Sequence, residues 1–363
     1  MKPTDATEPA SKAPATQKRR RDSRKASVTI KDVASKLGVS FATVSRALND
    51  HPSTSEETRA RVREAAAALN YVPHTAARMM QTRSSRLIGL VIPDLNIPIF
   101  AATASVLAEN CAEAGYQLVL SVSGRDPVRE RELVTALRSI QAAGIIIAPC
   151  GDSLPDTLAL LRETPCLQLG MRNHRLDVPT VKADNKESMA AATRHLVQLG
   201  HRRIGYIGAP RDVGTEDERY LGIMDTLAPL GMTIQEDALF LVPPLAASGQ
   251  AAMSQLLRLP DPPTAVLIGS GGLVSGAIDM LIQTNTKVPD YLSVIGVGDS
   301  EWYRHWNGGL TAIRMPIQEI AESIVKQLML QIRSAQNSAS APFVITHQSN
   351  LILRGSTAPP RAG

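Results

Sequence analysis

From Leu87 onward the chain alternates short apolar strands with amphipathic helical stretches, and that rhythm narrows the fold more than any other feature. Leu87–Ile92, Leu118–Ser121, Ile145–Ala148, Ile204–Ile207, Ala265–Ile268 and Val294–Val297 are nearly continuous apolar runs. Strands buried on both faces read this way, as parallel βαβ units covered by helices. About eleven such strands exceed what one compact sheet usually holds, so two doubly wound lobes are expected. At 363 residues the chain also has room for a smaller module ahead of them.

Charge is placed unevenly. Residues 1–27 carry eight Lys/Arg against three acids, and residues 28–86 carry nine against five. The whole chain totals +5, so residues 87–363 carry −4. A cationic front on a mildly acidic body points to a polyanion held by the N-terminal part, with a merely solvated basic tail as the alternative. Aromatic residues at 3% are too few for a base-stacking platform. Cys111, Cys150 and Cys166 form no C-x-x-C pair, which fits a reducing cytosol. The N-terminus has no apolar signal core, and no apolar run spans a bilayer, so a cytoplasmic protein is expected.

Residues 1–27 read as a disordered basic tail. Thr29–Asn49 then has a physical use for nearly every position. Thr29 can cap a helix starting near Ile30, with Asp32 in its first turn. Val33 and Leu37 give it an apolar face, and Ala34 lets a second helix cross closely. Gly38 sits where the turn needs a left-handed residue. Val39 plugs the core, and Ser40 caps a second helix whose Val44, Ala47 and Leu48 face inward while Phe41, Ala42, Ser45 and Arg46 face out. This is a helix-turn-helix, whose second helix lies in a major groove. A third helix, Ser55–Leu69, closes the small core. Its Arg59, Arg61 and Arg63 are solvated, or contact phosphates.

Asn70–Gln81 (NYVPHTAARMMQ) adds the decisive motif. Here the sequence resembles the lactose/galactose repressor family, over residues 28–356. In that family a P-N-x-x-A-R-x-L segment is a hinge helix that orders on the operator and wedges a minor-groove base step with an apolar side chain. Pro73, Ala77 and Arg78 match, His74 replaces the usual Asn, and Met80 takes the wedge position. The resemblance places bases against Phe41, Ala42 and Arg46, with Thr29, Ser40, Thr43, Ser45 and Asn49 completing the DNA-facing set. Arg46 can chelate guanine O6/N7, whereas Phe41 and Ala42 offer only apolar contact.

The resemblance continues through SRLIGLVIPDLNIPIFAAT, VKADNKESMAAATRHLVQLGHRRIGYIGAP, DERYLGI, PPTAVLIGS and LSVIGVGDS. It implies a two-lobed, periplasmic-binding-protein-like sensor with a cleft lined by Asn96, Phe100, Thr215, Arg219, Ser270, Asp299 and Trp302. Arg219 stands where the family's arginine grips its ligand. Several acids common in the family are missing: Ser270–Gly271 replaces Asn-Asp, Gly298–Asp299 replaces Asp-Asp, and Gly170 follows the strand ending at Leu169. Fewer acids beside a retained arginine imply an acidic effector, a sugar acid or sugar phosphate, controlling a repressor; a pocket that has lost its ligand is the alternative.

The expected fold is therefore α/β, with a helix-turn-helix module joined by a hinge helix to a doubly wound sensor. The expected domains are the tail 1–27, DNA-binding domain 28–72, hinge 73–83, sensor 84–356 and tail 357–363. Lobe 1 comprises about residues 87–185 and 315–345, and lobe 2 residues 186–314 and 346–356. The family dimerises through its sensor, so the partners are a pseudo-palindromic double-stranded operator, a small-molecule effector and a second copy, with a tetramer left open and no membrane. An enzyme, a sugar-metabolising one above all, is the rival reading. Ile268 occupies the first glycine position of a nucleophile elbow at Gly269–Gly272. Gly296–Asp299 lacks the third glycine of a dinucleotide fingerprint, and there is no phosphate-binding P-loop. His51, His74, His174, His195, His201, His305 and His347 show no metal-ligand spacing. No cofactor, metal or catalytic residue is expected.

Overall fold

The computed structural model describes residues 28–48, 51–69, 71, 85–212, 214–334 and 342–361. The chain divides into two compact units, Met1–Gln81 and Thr82–Gly363.

The first unit holds α1 (Ile30–Leu37), α2 (Phe41–Leu48) and α3 (Glu56–Ala68). At the start of α1 the Asp32 carboxylate accepts hydrogen bonds from the Thr29 N–H at 2.7 Å and from its hydroxyl at 2.8 Å. These bonds, the backbone one foremost, hold the Asp32 pKa below its ordinary value and place negative charge at the helix's positive end. The helix stops at Gly38, whose φ of +66° suits a residue without Cβ. Ser40 Oγ then accepts the Thr43 N–H at 3.1 Å to cap α2. Ser55 Oγ accepts the Thr58 N–H at 3.3 Å to cap α3. Val33, Val44 and Val62 meet in the core, with alanines 34, 47, 65 and 66 between them; small residues there let the helix axes approach. Arg59 reaches Glu56 at 2.9 Å and the His51 carbonyl at 3.1 Å. It ties the loop before α3 to the helix and so differs from an arginine waiting for phosphate.

The second unit is two lobes, each a six-stranded sheet between helices. Lobe 1 opens with β1 (Leu87–Ile92), α4 (Pro98–Glu113), β2 (Gln117–Val122), α5 (Pro127–Ser139) and β3 (Gly144–Ile147). It continues through α6 (Pro155–Arg162), β4 (Cys166–Leu169) and β5 (Thr180–Ala183). The chain crosses to lobe 2 through α7 (Asn185–Gln198), β6 (Ile204–Gly208), α8 (Glu216–Leu227), β7 (Leu239–Leu241) and α9 (Ala246–Leu257). Lobe 2 goes on with β8 (Ala265–Ile268), α10 (Gly271–Gln283), β9 (Ser293–Val297) and β10 (Thr311–Arg314). α11 (Ile317–Ser334) and β11 (Val344–His347) then return to lobe 1, and β12 (Asn350–Ile352) joins lobe 2.

Strand order is β11-β5-β4-β3-β1-β2 in the first sheet and β12-β10-β9-β8-β6-β7 in the second. All pairings are parallel except β10 with β12. In register, Leu90 lies beside Leu120 and Ile146. The direction of winding reverses at β1 and again at β6, and clefts open beyond the carboxyl ends of strands at such points. Ile320, Ala321, Ile324 and Leu328 of α11 cover the lobe 1 core built on Ile88, Leu90 and Leu107.

Two boundaries move. β11 runs to His347 within the lobe 1 sheet, so the third crossing falls after 347 rather than after 345. The segment read as a tail from 357 is fastened to lobe 2: the Ala358 carbonyl lies 2.9 Å from His201 Nε2, and the Ala358 N–H donates to Ser293 Oγ at 3.1 Å. Among the described residues no helix is long and apolar enough to cross a membrane.

Candidate functional site

Two surfaces carry the chemistry that the sequence singles out, one in each unit. In the first unit α2 presents Phe41, Ala42 and Arg46 exposed on one side, while Val44 and Ala47 are buried on the other. Phe41 is 46% exposed. Arg46 Nε donates to the Ala42 carbonyl at 3.2 Å, which lays the side chain back along the helix beside Ala42. Ser40 and Thr43 hydroxyls bond each other at 2.8 Å and serve as the cap. Ser45 is half-buried, and Thr29 is occupied with Asp32. The expectations for Asn49, His74, Ala77, Arg78 and Met80 lie outside the described residues.

In the second unit a cavity of about 510 Å³ opens between the lobes, beyond the carboxyl ends of the strands of both sheets. It is of a size that takes a small metabolite. Phe100, Thr215, Arg219, Ser270 and Asp299 line it. Asn96 and Trp302 do not. Asn96 is exposed and folds onto Asp94, to which its backbone N–H donates at 2.8 Å. Trp302 is 39% exposed; its neighbour Tyr303 faces the cavity instead, with the two rings edge-on at 4.4 Å.

Arg219 projects from the first turns of α8. Its Nη1 donates to the Gly269 carbonyl at 2.6 Å and lies 3.8 Å from Glu216 Oε2. Its other N–H groups have no protein acceptor among the described residues, so they are free for a ligand. Glu216 is 1% exposed; it accepts a hydrogen bond from Tyr206 Oη and one from the Ala209 backbone. Burial pushes its pKa up, and the Arg219 charge and the Tyr206 bond only partly offset this. Tyr206 is pushed well above its ordinary value too, by burial first and by Glu216 second.

Asp299 has a different part from the one the sequence suggested. Its carboxylate takes Arg314 Nε and Nη2 at 2.7 Å on one oxygen and Arg354 Nη2 at 2.7 Å on the other. Burial raises its pKa, but the two guanidiniums outweigh burial and hold it below the ordinary value. Asp299 thus anchors two arginines, with Oδ2 hydrogen-bonded to Arg314 and the buried Oδ1 ion-paired with Arg354 but without a hydrogen bond. At Gly298, φ is +98°, a conformation that L side chains rarely adopt.

Sequence reasoning missed Arg125, Glu216, Arg304 and Arg314, all of which line the cavity. Arg125 follows β2 and Arg314 ends β10. Reading off the residues after every strand end would have found both. Glu216 lies one turn before Arg219 on α8, a spacing that places two side chains side by side. The amino ends of α4, α8, α10 and α11 also meet the cavity, and helix amino termini favour anions.

A helix-turn-helix module in one unit and a two-lobed cleft in another define a ligand-responsive transcription regulator. Comparison with known proteins agrees. Residues 29–74 match the model of bacterial regulatory proteins of the lacI family, and residues 193–357 match the periplasmic binding protein-like domain. The chain is 32% identical over 334 residues to the HTH-type transcriptional repressor PurR of Pectobacterium carotovorum subsp. carotovorum, covering 91% of this chain and 97% of that one. It is 30% identical to the HTH-type transcriptional repressor CytR of Escherichia coli, covering 91% and 96%. The fold matches a crystal structure of the lac repressor dimer bound to operator and the anti-inducer ONPF, with TM-score 0.80, 24% identity and coverage of 92% and 99%. The chain belongs to the LacI family, as a DNA-binding transcriptional repressor with an effector-binding domain and not an enzyme.

Proposed function

We propose that this repressor acts as a homodimer on a pseudo-palindromic operator and that a small anionic metabolite in the interlobe cavity sets its operator affinity. A two-fold dimer suits a two-fold DNA site, and the lac repressor it resembles in fold was crystallised as a dimer on operator. Phe41, Ala42 and Arg46 are the base-contacting set; Met80 is the minor-groove wedge, helped by His74, Ala77 and Arg78. The observation that carries the anionic effector is Arg219, a guanidinium held by Gly269 with its remaining donors free. A sugar acid or sugar phosphate is the effector class the sequence favours, and carbohydrate metabolism its setting. The anionic half of that reading is what the arginines support. Effector and operator are linked because the effector prefers one lobe arrangement, with coupling of about 1–3 kcal/mol.

Titration of operator DNA by fluorescence anisotropy, with and without candidate anions, tests this. Arg219→Ala keeps operator affinity within about twofold and abolishes the response to effector. A variant that still responds normally would remove Arg219 from the site. Met80→Gly weakens operator binding and leaves effector affinity intact.

A further inference from the structure

The cavity between the lobes has walls that do not suit a hydroxyl-rich ligand. Ile97 and Phe100 from the start of α4, Met171 after β4, Met315 and Ile317 at the lobe crossing, and Val297 at the end of β9 all face it. All but Val297 are only half-buried, so apolar surface stands open around the space. Such surface gains by meeting an apolar body, roughly 25 cal/mol per Å² removed from water.

A sugar needs acceptors for its several hydroxyl donors, and an unmatched buried hydroxyl costs about 1–3 kcal/mol. Here the two buried carboxylates face protein partners. Glu216 is closed in by Tyr206, Ala209 and Arg219. Asp299 is held by Arg314 and Arg354. Glu319 is exposed at the rim. Thr103 donates its hydroxyl to the Ile99 carbonyl at 2.7 Å, and Ser270 accepts the Leu273 N–H at the start of α10. Thr215, Ser300 and Gln318 add a few neutral polar groups, and the charged groups left for a ligand are the free donors of Arg219, together with Arg125 and Arg304.

We infer that the effector is a small organic carboxylate with an apolar, hydroxyl-poor body, an aryl or alkyl acid, its carboxylate on Arg219 and its body against Phe100, Ile97 and Met171. This rests on the anionic reading of the site and replaces the sugar portion of it. A carboxylate can take two donors of the guanidinium fork at once. The body then displaces water from the half-buried apolar walls.

Calorimetric titration of the full chain with phenylacetate, hexanoate, gluconate, glucose 6-phosphate, glucose and benzyl alcohol tests the inference. Phenylacetate or hexanoate should bind at least tenfold more tightly than gluconate and glucose 6-phosphate. Phe100→Asn should weaken that binding at least fivefold, and Arg219→Gln should remove most of the advantage of phenylacetate over benzyl alcohol. Gluconate or glucose 6-phosphate binding as well as the apolar acids overturns this inference and leaves the anionic reading standing. Benzyl alcohol or glucose binding as tightly as the corresponding acid overturns both. No binding by any of the six, in a preparation that still binds operator DNA, overturns the inference as well.

Discussion

Glu216 places a carboxylate beside the one guanidinium expected to grip the ligand, and the two side chains oppose each other in effect. Its negative charge holds Arg219 in place but weakens the attraction that Arg219 exerts on an anion. Glu216→Gln preserves an acceptor for Tyr206 and removes the charge. It should therefore tighten anion binding by about tenfold, or 1.4 kcal/mol, as measured by calorimetry. Burial raises the folded-state pKa of Glu216 above its ordinary 4.5. That raises the stability of the wild type as pH falls from the raised value toward 4.5, and the variant lacks this slope. Asp299 has the opposite sign. Its folded pKa lies below the ordinary 3.8, so its contribution is present above that value and fades as pH falls through the lower one. Asp299→Asn should cost about 1.5–3 kcal/mol at neutral pH, the range for hydrogen bonds to charged groups. The deficit should shrink below pH about 4 in urea titrations. At this scale the family resemblance in the sequence placed Phe100, Thr215, Arg219, Ser270 and Asp299 at the cleft, and all five line the cavity. It did not reveal that Asp299 is held by Arg354, which is contributed by a strand end far along the chain.

Helices and strands were more legible than contacts. The limits of β1 and β8 follow directly from their apolar runs, since each is wholly or almost wholly buried. The turn between α1 and α2 follows from Gly38, because a left-handed residue at that point leaves little choice. Gly38→Val has open space for its side chain but not the backbone freedom. It should destabilise the module by about 1–2 kcal/mol, seen as faster amide exchange at Val33 and Val44. The end of β11 and the fastening of residues 357–358 escaped notice. Neither has a local signature: β11 is a half-exposed edge strand, and Ala358 is held through its backbone by His201 and Ser293.

For the whole molecule, separating the cationic front from the acidic body separates two kinds of recognition. Operator binding that neutralises phosphates falls steeply with salt, about 10³-fold or more between 50 and 200 mM for six or more contacts. Effector binding in a shielded cavity should change by only about threefold over the same interval, because partly buried pairs are screened less. Anisotropy and calorimetry at matched salt concentrations check the contrast. A response in which both affinities fell together would place the effector on the charged exterior. The two-lobed architecture was legible from strand number and rhythm, whereas the apolar character of the cavity arises from Ile97, Met171 and Met315, which only folding gathers.

The three passages between the lobes also set an order of events during synthesis. The module made of α1, α2 and α3 is complete once residue 68 has emerged. Lobe 1 is not. Its sheet awaits β11, and the face over Ile88 and Leu107 awaits α11, both made after all of β6 to β10 of lobe 2. A nascent chain therefore carries a finished DNA reader beside an unfinished sensor for most of its translation. A chain stopped past residue 71 but before residue 317 therefore carries the three-helix module without a complete sensor.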